Sequence, residues 1–540
     1  MKMDENIEKL LELAGNNNRY QYTSLIIIVI LWLNSNFLII LLPYLERAPL
    51  VTYKDRNNIL HTNETLTNEI CDNYKYEIIQ KFNYSLISEF NIECDKSKTA
   101  VIGCFSFLGN TLGAILFMII SKLISHKNNL IISSIGFSFV VFACTLIKSV
   151  DYFILFFICF VLIGCFGGCL CYSSLVISQE TVSQDKRALF NGIVNFGYSL
   201  CGIVYSIVFY FIQDWKINFY IISGCIIICC ILIIFFIYNS PREYLYKKDI
   251  NKAIKILEKI ASFNNRLEFF KNQIKTDEYQ YIINEISGET KKEEKDGKDE
   301  EKQTDEEDSD IFKMNVDPTK INLIINDDEN QIIKNNNDHI KKENKLCTLF
   351  IYPSVRKKFL ILCFLWIGTR VSFNGLNLSS KNFKGNFYLN IIIVYIIQCI
   401  CCLITGPFMD IKKIGRKGTL WILYSLIIIT FLVLSFIQLS KILELIFNFW
   451  TIFCSSCIEI AFYTYSIEVY PTSIRNFAFG TNVLFGNGGT IFAPILLEYV
   501  PNWLFLQIFA GICGINAYLI KFLPETVGMP MIESIDELGT

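Results

Sequence analysis

Residues 463–480 read YTYSIEVYPTSIRNFAFG and close one of the most apolar stretches of the chain with Glu468, Arg475 and Gly480. The pattern recurs nearly three hundred residues earlier. Residues 172–192, YSSLVISQETVSQDKRALFNG, end another apolar run in Glu180, Arg187 and Gly192. Both copies have the spacing E-x6-R-x4-G. A polar spacing reproduced at the same point of two hydrophobic segments marks an internal duplication, and the fold follows from where the copies fall.

Composition sets the class. Of 540 residues, 52% are hydrophobic and only 19% charged, with a mean hydropathy of +0.39, which a soluble globular chain rarely shows. The net charge of −2 is gathered into a few blocks and points to no nucleic-acid partner. Most of the 20 cysteines lie inside apolar runs (Cys169, Cys171, Cys229, Cys230, Cys401, Cys402), where a thiol acts as a small hydrophobe. With three histidines and no zinc-like spacing, no metal or cofactor is expected. The chain carries no Walker motif, which excludes ATP-driven pumping, and no nucleophile–base pattern, so an enzyme is not expected. Residues 1–20 are polar and acidic, and the apolar run after them exceeds the ~7–15 residues of a signal-peptide core, so it reads as a first membrane span.

A bilayer core of ~30 Å takes ~20 apolar residues as a helix. Twelve stretches meet that length: 22–42, 99–121, 129–148, 152–178, 189–212 and 217–238, then 358–378, 387–409, 419–439, 442–467, 477–499 and 502–523. The expected class is therefore an all-α, multi-pass integral membrane protein of twelve transmembrane helices in two six-helix bundles. Orientation follows from the short loops. With the N-terminus inside, nine Lys/Arg fall in cytosolic loops (Lys122, Lys127, Lys186, Arg187, Lys412, Lys413, Arg416, Lys417, Arg475) against five outside (Lys148, Lys216, Lys381, Lys384, Lys441). The division is a cytosolic N-terminus (1–21), a first bundle (22–238) with an exoplasmic loop (46–98), a cytosolic connection (239–356), a second bundle (357–523) and a cytosolic tail (524–540).

The exoplasmic loop holds Cys71 and Cys94, a candidate disulfide, and glycosylation sequons at Asn63 and Asn83. In the cytosolic connection, residues 289–310, ETKKEEKDGKDEEKQTDEEDSD, have no apolar periodicity and are expected to be solvated and disordered. Before them, Ile250, Ala253, Ile254, Leu257 and Ile260 have helical spacing and are expected to lie against the cytosolic face.

On this topology each copy of E-x6-R-x4-G lies at the cytosolic end of the fourth span of its half. The halves therefore run in the same direction, as parallel repeats about an axis along the membrane normal. SPRE (240–243) and LPET (523–526) each follow a sixth span and form a second matched pair. Two such bundles enclose a midplane cavity that opens to either side by rocking. Glu180, Arg187, Glu468 and Arg475 are then read as elements of a cytosolic gate, against the plainer reading of interfacial anchors.

These motifs resemble the major facilitator superfamily, in particular its organic cation/anion/carnitine transporter family, over nearly the whole chain. EVYPTSIRN (468–476) is similar to that family's ELYPT-x-x-RN, and LPETVGMPMIESIDEL (523–538) to its C-terminal signature. FNIECD (90–95), FLGNTLGAILF (107–117), CFLWIGTRVSFNGL (363–376) and GNFYLN (385–390) resemble its loop end and its second, seventh and eighth spans. DIKKIGRKG keeps Asp410, Gly415, Arg416 and Lys417 of its loop between spans 8 and 9, which adds Asp410 and Arg416 to the gate. The matching first-half loop, ISKLISHKN, departs from the pattern, with Lys122 for the Asp and Ser125 and His126 for Gly-Arg. The resemblance implies the major facilitator fold and alternating-access transport of a small organic ion by a monomer, either facilitative or coupled to H+ or another ion, with the plasma membrane as the default location and an organelle membrane as the alternative. Sugar porters share the PET-x-G and GRK elements, so uptake of a neutral solute is the alternative, with a non-transporting sensor on the same fold as a second.

Charges near the membrane midplane cost ~2.5–3.5 kcal/mol each, so each needs a reason. Arg370 in span 7 and Glu459 in span 10 qualify. They sit on the first and fourth spans of the second half, where a cavity is expected, and either form a structural ion pair or receive opposite charges of a solute. Trp366 and Phe373, seven residues apart, share a face of span 7. Gln398, Asn487 and Tyr172 add polar groups in apolar surroundings. The resemblance makes Gln398 and Asn487 neutral where related carriers tend to hold charge. The Gly-rich GCFGGC (164–169) and GNGG (486–489) follow no strand and are read as sites of close helix approach rather than phosphate loops.

Overall fold

In the computed structural model the described residues are 2–15, 18–54, 60–65, 77–82, 85–92, 94–121, 123–147, 153–182, 184–246, 249–287, 350, 352–470 and 474–527. Cys71, Asn83, the 289–310 segment and the tail beyond 527 lie outside them, as do the side chains of Asn63 and Arg187.

Among the described residues, eleven helices are long and apolar enough to cross a bilayer. They are Arg19–Leu45 (span 1), Lys96–Ile120 (2), His126–Thr145 (3), Ile154–Glu180 (4), Gly192–Phe211 (5), Trp215–Phe236 (6), Pro353–Asn382 (7), Phe387–Met409 (8), Gly415–Phe436 (9), Lys441–Glu468 (10) and Asn502–Phe522 (12). The expected eleventh span is present in two pieces, Arg475–Thr490 and Phe492–Tyr499, separated at Ile491. Pro494 accounts for the break. It offers no N–H to the Thr490 carbonyl and its ring crowds that position, so the first piece stops there. Span 7 starts earlier than its apolar core, with Pro353 in the first turn, where its missing N–H costs nothing.

The halves run parallel. Glu46, the residue that caps the end of span 1, and Lys381, in the last turn of span 7, at equivalent ends of the two repeats, meet at 2.9 Å. The end of the bundle where they meet, here the distal end, also carries the loop after span 1. The opposite end carries both ends of the described chain and is the terminal end. Each half has its own core. The first is built from spans 1–6 and takes in Leu378, Ile391 and Tyr395 of the second half, where the bundles touch. The second is built around Trp366, Tyr424, Phe462 and Phe509.

The glycine-rich stretch of span 4 lets two backbones come together. A methyl at Gly109 would run into the Val161 carbonyl, and one at Gly164 would lie 2.7 Å from the Ser106 carbonyl. Span 2 packs closely on span 4 for that reason, as small residues allow in lipid.

Two features exceed the expected all-helical bundle. The distal loop forms a three-stranded antiparallel sheet, order β2-β1-β3, from Leu50–Lys54, Leu60–Thr65 and Glu77–Phe82. At the terminal end, Lys2–Ala14 is a helix that packs against Ile250–Phe263, Leu267–Gln273 and Asp277–Ser287, and its Glu8 pairs with Arg242 of the short helix Pro241–Tyr246 at 2.6 Å. Ile7, Leu10, Leu257, Ile260, Phe270 and Ile286 form a third core there. Asn264 ties it to span 1. Its Oδ1 accepts from the Tyr20 backbone N–H at 2.9 Å and its Nδ2 donates to the Ala14 carbonyl at 3.1 Å. Residues 1–21 and the start of the 239–356 connection are thus one helical platform rather than separate segments.

Candidate functional site

Span 7 places Trp366 and Arg370 four residues apart on one helical face, and span 10 places Glu459 and Tyr463 likewise. Where these faces meet, Arg370 Nε lies 3.1 Å from Glu459 Oε1, with the side chains 18% and 8% exposed. Arg370 Nη2 also donates to the Tyr463 hydroxyl. The guanidinium lies 5.6 Å from the Trp366 ring centre and 5.2 Å from that of Tyr463, cation–π distances. Trp366 meets Tyr463 edge-on at 4.8 Å and is packed by Phe462 and Phe479. Gly486 of span 11 makes room, since a methyl there would lie 3.0 Å from Arg370 Cγ. Phe373 is buried one turn further along span 7.

The site faces the other half. Tyr172 of span 4 and Tyr198 of span 5 are close enough to Arg370 to interact with its charge. Asn487 Nδ2 donates to the Tyr172 hydroxyl at 2.8 Å, a hydrogen bond between the two bundles. Gln398 Nε2 donates to Asn377 Oδ1 at 2.7 Å. Five buried polar atoms here make no hydrogen bond among the described residues: Trp366 Nε1, Gln398 Oε1, Glu459 Oε2, and Arg370 Nε and Glu459 Oε1, which meet only as an ion pair. A buried polar atom left so is costly unless something else completes it.

The terminal-end residues are grouped within each half. In the second half, Arg416 reaches Asp410 at 2.6 Å and Glu468 at 3.3 Å, while Thr526 donates to Glu468 Oε2 at 2.6 Å. Glu525 caps the start of span 9, accepting from the Arg416 and Lys417 backbone N–H groups at 2.9 and 3.1 Å. Arg475 donates to the Tyr470 carbonyl at 3.1 Å, and Glu468 is held by Arg416 and Thr526. In the first half, His126 Nε2 lies 3.8 Å from Glu180 Oε1, and Arg242 bonds to the Glu180 and Val182 carbonyls and to Glu8. His126 opens span 3 as Arg416 opens span 9, so the departing loop motif still sends a basic side chain to the matched glutamate.

At the distal end the halves are joined. Lys381 Nζ lies 2.9 Å from Glu46 Oε2 and 2.6 Å from Glu498 Oε1. Tyr44 packs on Phe387 and Tyr388, over which Arg47 also lies, at 4.6 and 5.1 Å. The Cys104 thiol donates to the Ile491 carbonyl at 3.1 Å. Cys94 is disulfide-bonded.

Sequence reasoning missed Tyr463, Tyr198, Asn377, His126, Arg242 and the Glu46–Lys381–Glu498 cluster. Tyr463 had a signal, because it follows Glu459 by one helical turn. The distal cluster had none, since its members lie on three spans far apart in the chain.

Residues 25–494 match the Major Facilitator Superfamily model. Among curated proteins, the chain is 24% identical to "Organic cation/carnitine transporter 4" of Arabidopsis thaliana over 67% of its own length and 59% of that protein's. It is 23% identical to "Solute carrier family 22 member 21" of Mus musculus, over 82% and 69%. For "Organic anion transporter 3" of Mus musculus the identity is 22%, over 72% and 62%. Several of these matches therefore span under two thirds of the relative. The inward-open xylose transporter XylE from E. coli superposes with a TM-score of 0.62 at 14% identity, covering 96% of this chain and 99% of that one. The parallel six-helix halves, the duplicated terminal-end motif and the family match over most of its length make this chain a member of the Major Facilitator Superfamily.

Proposed function

We propose that the chain is a secondary transporter that moves a small organic anion or zwitterion by alternating access, with Arg370 and Glu459 at its binding site. The observation that carries this reading is the buried pair of opposite charges walled by Trp366, Phe462, Tyr463 and Phe479, at the interface of two parallel bundles. Arg370 offers a planar donor to a carboxylate or similar group. Glu459 accepts a cationic group, or a proton that couples movement. Trp366, Phe373 and Tyr172 supply flat surfaces that tolerate varied organic bodies, and Gln398 and Asn487 read polarity without charge.

The curated relatives are named as cation, carnitine and anion carriers, which supports an organic-ion cargo. On this reading the terminal end is cytosolic, the distal loop faces outside, and the membrane is the plasma membrane. Polar bonds join the halves at the distal end and midplane, whereas among the described residues Glu180 pairs with His126 of its own half, and Glu468 and Asp410 pair with Arg416 of theirs. That pattern supports a state shut on the outside.

The test is uptake of a labelled panel of organic anions, zwitterions, cations and sugars into proteoliposomes, with and without a pH gradient. Uptake of an anion or zwitterion, lost in Glu459→Gln and Arg370→Met, is expected. Uptake of sugars alone, or ligand binding without flux of any solute, refutes the reading.

A further inference from the structure

The distal cluster has more acid than base. Glu46 and Glu498 share one ammonium, Lys381, so the three groups together carry a net charge of −1 when all are ionised. The side chains of Glu46 and Lys381 are 1% and 8% exposed. An excess negative charge so deeply placed is unfavourable. One oxygen bears the excess. Glu46 Oε2 meets Lys381, but the buried Oε1 has no hydrogen-bond partner among the described residues. It faces the junction of span 2 and span 11, where a methyl on Gly103 would lie 3.2 Å from it and 2.6 Å from Pro494. Among the described residues the charged and titratable groups around it are Lys381 from span 7, Glu498 from span 11, the Cys104 thiol of span 2 and, on its own segment, Arg47, which is turned onto Phe387 and Tyr388.

We infer that Glu46 is a proton-binding site, and that its proton is taken up when the distal ends of the two bundles close and released when they part. The inference rests on the alternating-access reading. A proton on Oε1 makes Glu46 neutral and leaves Lys381 and Glu498 as a balanced pair. Glu46 also joins span 1 of the first half to spans 7 and 11 of the second, so its burial depends on the halves meeting.

Burial pushes the Glu46 carboxyl up to about 7 against the opposing pull of Lys381, from an ordinary value of 4.5. Separation of the halves admits water and returns the group toward 4.5. The shut state therefore holds the proton more tightly, and acid favours it. Its stabilisation is present below about 7 and fades as pH rises through that value. By linkage, moving from about pH 7.5 to about pH 5.5 shifts the open–shut equilibrium roughly twentyfold toward shut. The intuitive alternative, that acid breaks the ion pair and opens the distal end, has the opposite sign.

The experiment uses the full chain in lipid nanodiscs, with spin probes at Phe211 and Ile442 on the distal ends of spans 5 and 10, and an infrared record of carboxyl protonation. In the native chain the probe distances are expected to shift toward the shut population as pH falls, while a carboxyl band titrates near neutrality. Glu46→Gln mimics the protonated group and is expected to stay shut at both pH values, with that band gone. Glu498→Gln leaves Lys381 to Glu46 alone and is expected to move the midpoint to lower pH. A pH response that survives in Glu46→Gln, one abolished only in Glu498→Gln, or acid-driven opening overturns the inference. If Glu46 titrates and the distances respond but no solute is transported, the transport reading fails and the proton site stands.

Discussion

Removing one charge of the Arg370–Glu459 pair and then both separates a structural pair from a binding site. In Arg370→Met, Glu459 stays buried at 8% side-chain exposure with no counter-charge and no hydrogen-bond donor to replace it. Breaking a buried pair from one side costs ~3–5 kcal/mol, roughly two to four orders of magnitude in the folding equilibrium. Glu459→Gln is milder, at ~1–3 kcal/mol, because Arg370 keeps Tyr463 and two aromatic faces. The double variant Arg370→Met/Glu459→Gln buries no charge and is expected within ~1–2 kcal/mol of the native chain. Thermal unfolding in detergent reads this series, and uptake in proteoliposomes reads function on the same preparations. The expected outcome is divergence, with stability recovered in the double variant and transport still absent. A double variant that transports at the native rate refutes the reasoning and leaves the pair a structural feature only.

Two further outcomes follow from the contacts between and within the halves. A methyl at Gly202 of span 5 would run into the buried Tyr395 ring of span 8, across the interface, so Gly202→Ala is expected to destabilise the described arrangement by ~1–3 kcal/mol and to widen the distal probe distances. Unchanged distances and an unchanged melting midpoint would show that the bundles do not pack there. At the terminal end, Arg416 serves Asp410, Glu468 and the Met409 carbonyl, whereas His126 makes one 3.8 Å approach to Glu180. Arg416→Ala is therefore expected to lower the melting midpoint clearly more than His126→Ala, and equal effects would contradict the asymmetry.

Much of this architecture was legible because lipid imposes a simple rule on sequence. Helix length, apolar content and a duplicated polar spacing were enough to place the spans, their parallel halves and the terminal-end clusters. Arg370 and Glu459 stood out because a charge inside an apolar run has few explanations. The break in span 11 was visible in principle, as Pro494 lies within an otherwise apolar helix, but hydropathy averages over a single missing donor. The pairing of Glu468 with Arg416 was not legible, since it depends on which neighbouring helix end faces the glutamate. The platform was half visible: Ile250–Phe263 has an apolar stripe, but nothing in residues 2–14 names that stripe as its partner. Asn34 of span 1 links two helices, accepting from the Tyr205 hydroxyl of span 5 at 2.6 Å, a partner that hydropathy does not reveal.

That platform sets an order for biogenesis. The helix Lys2–Ala14 leaves the ribosome well before the apolar surfaces that cover it, Leu257, Phe270 and Ile286 among them, which are synthesised more than two hundred residues later. Until then its hydrophobic face has no cover from this chain, while six spans enter the bilayer behind it. The platform is complete only once residue 286 has emerged, so a chain arrested shortly after span 6 would carry this helix without the surfaces that bury Ile7, Leu10 and Leu11 in the finished structure.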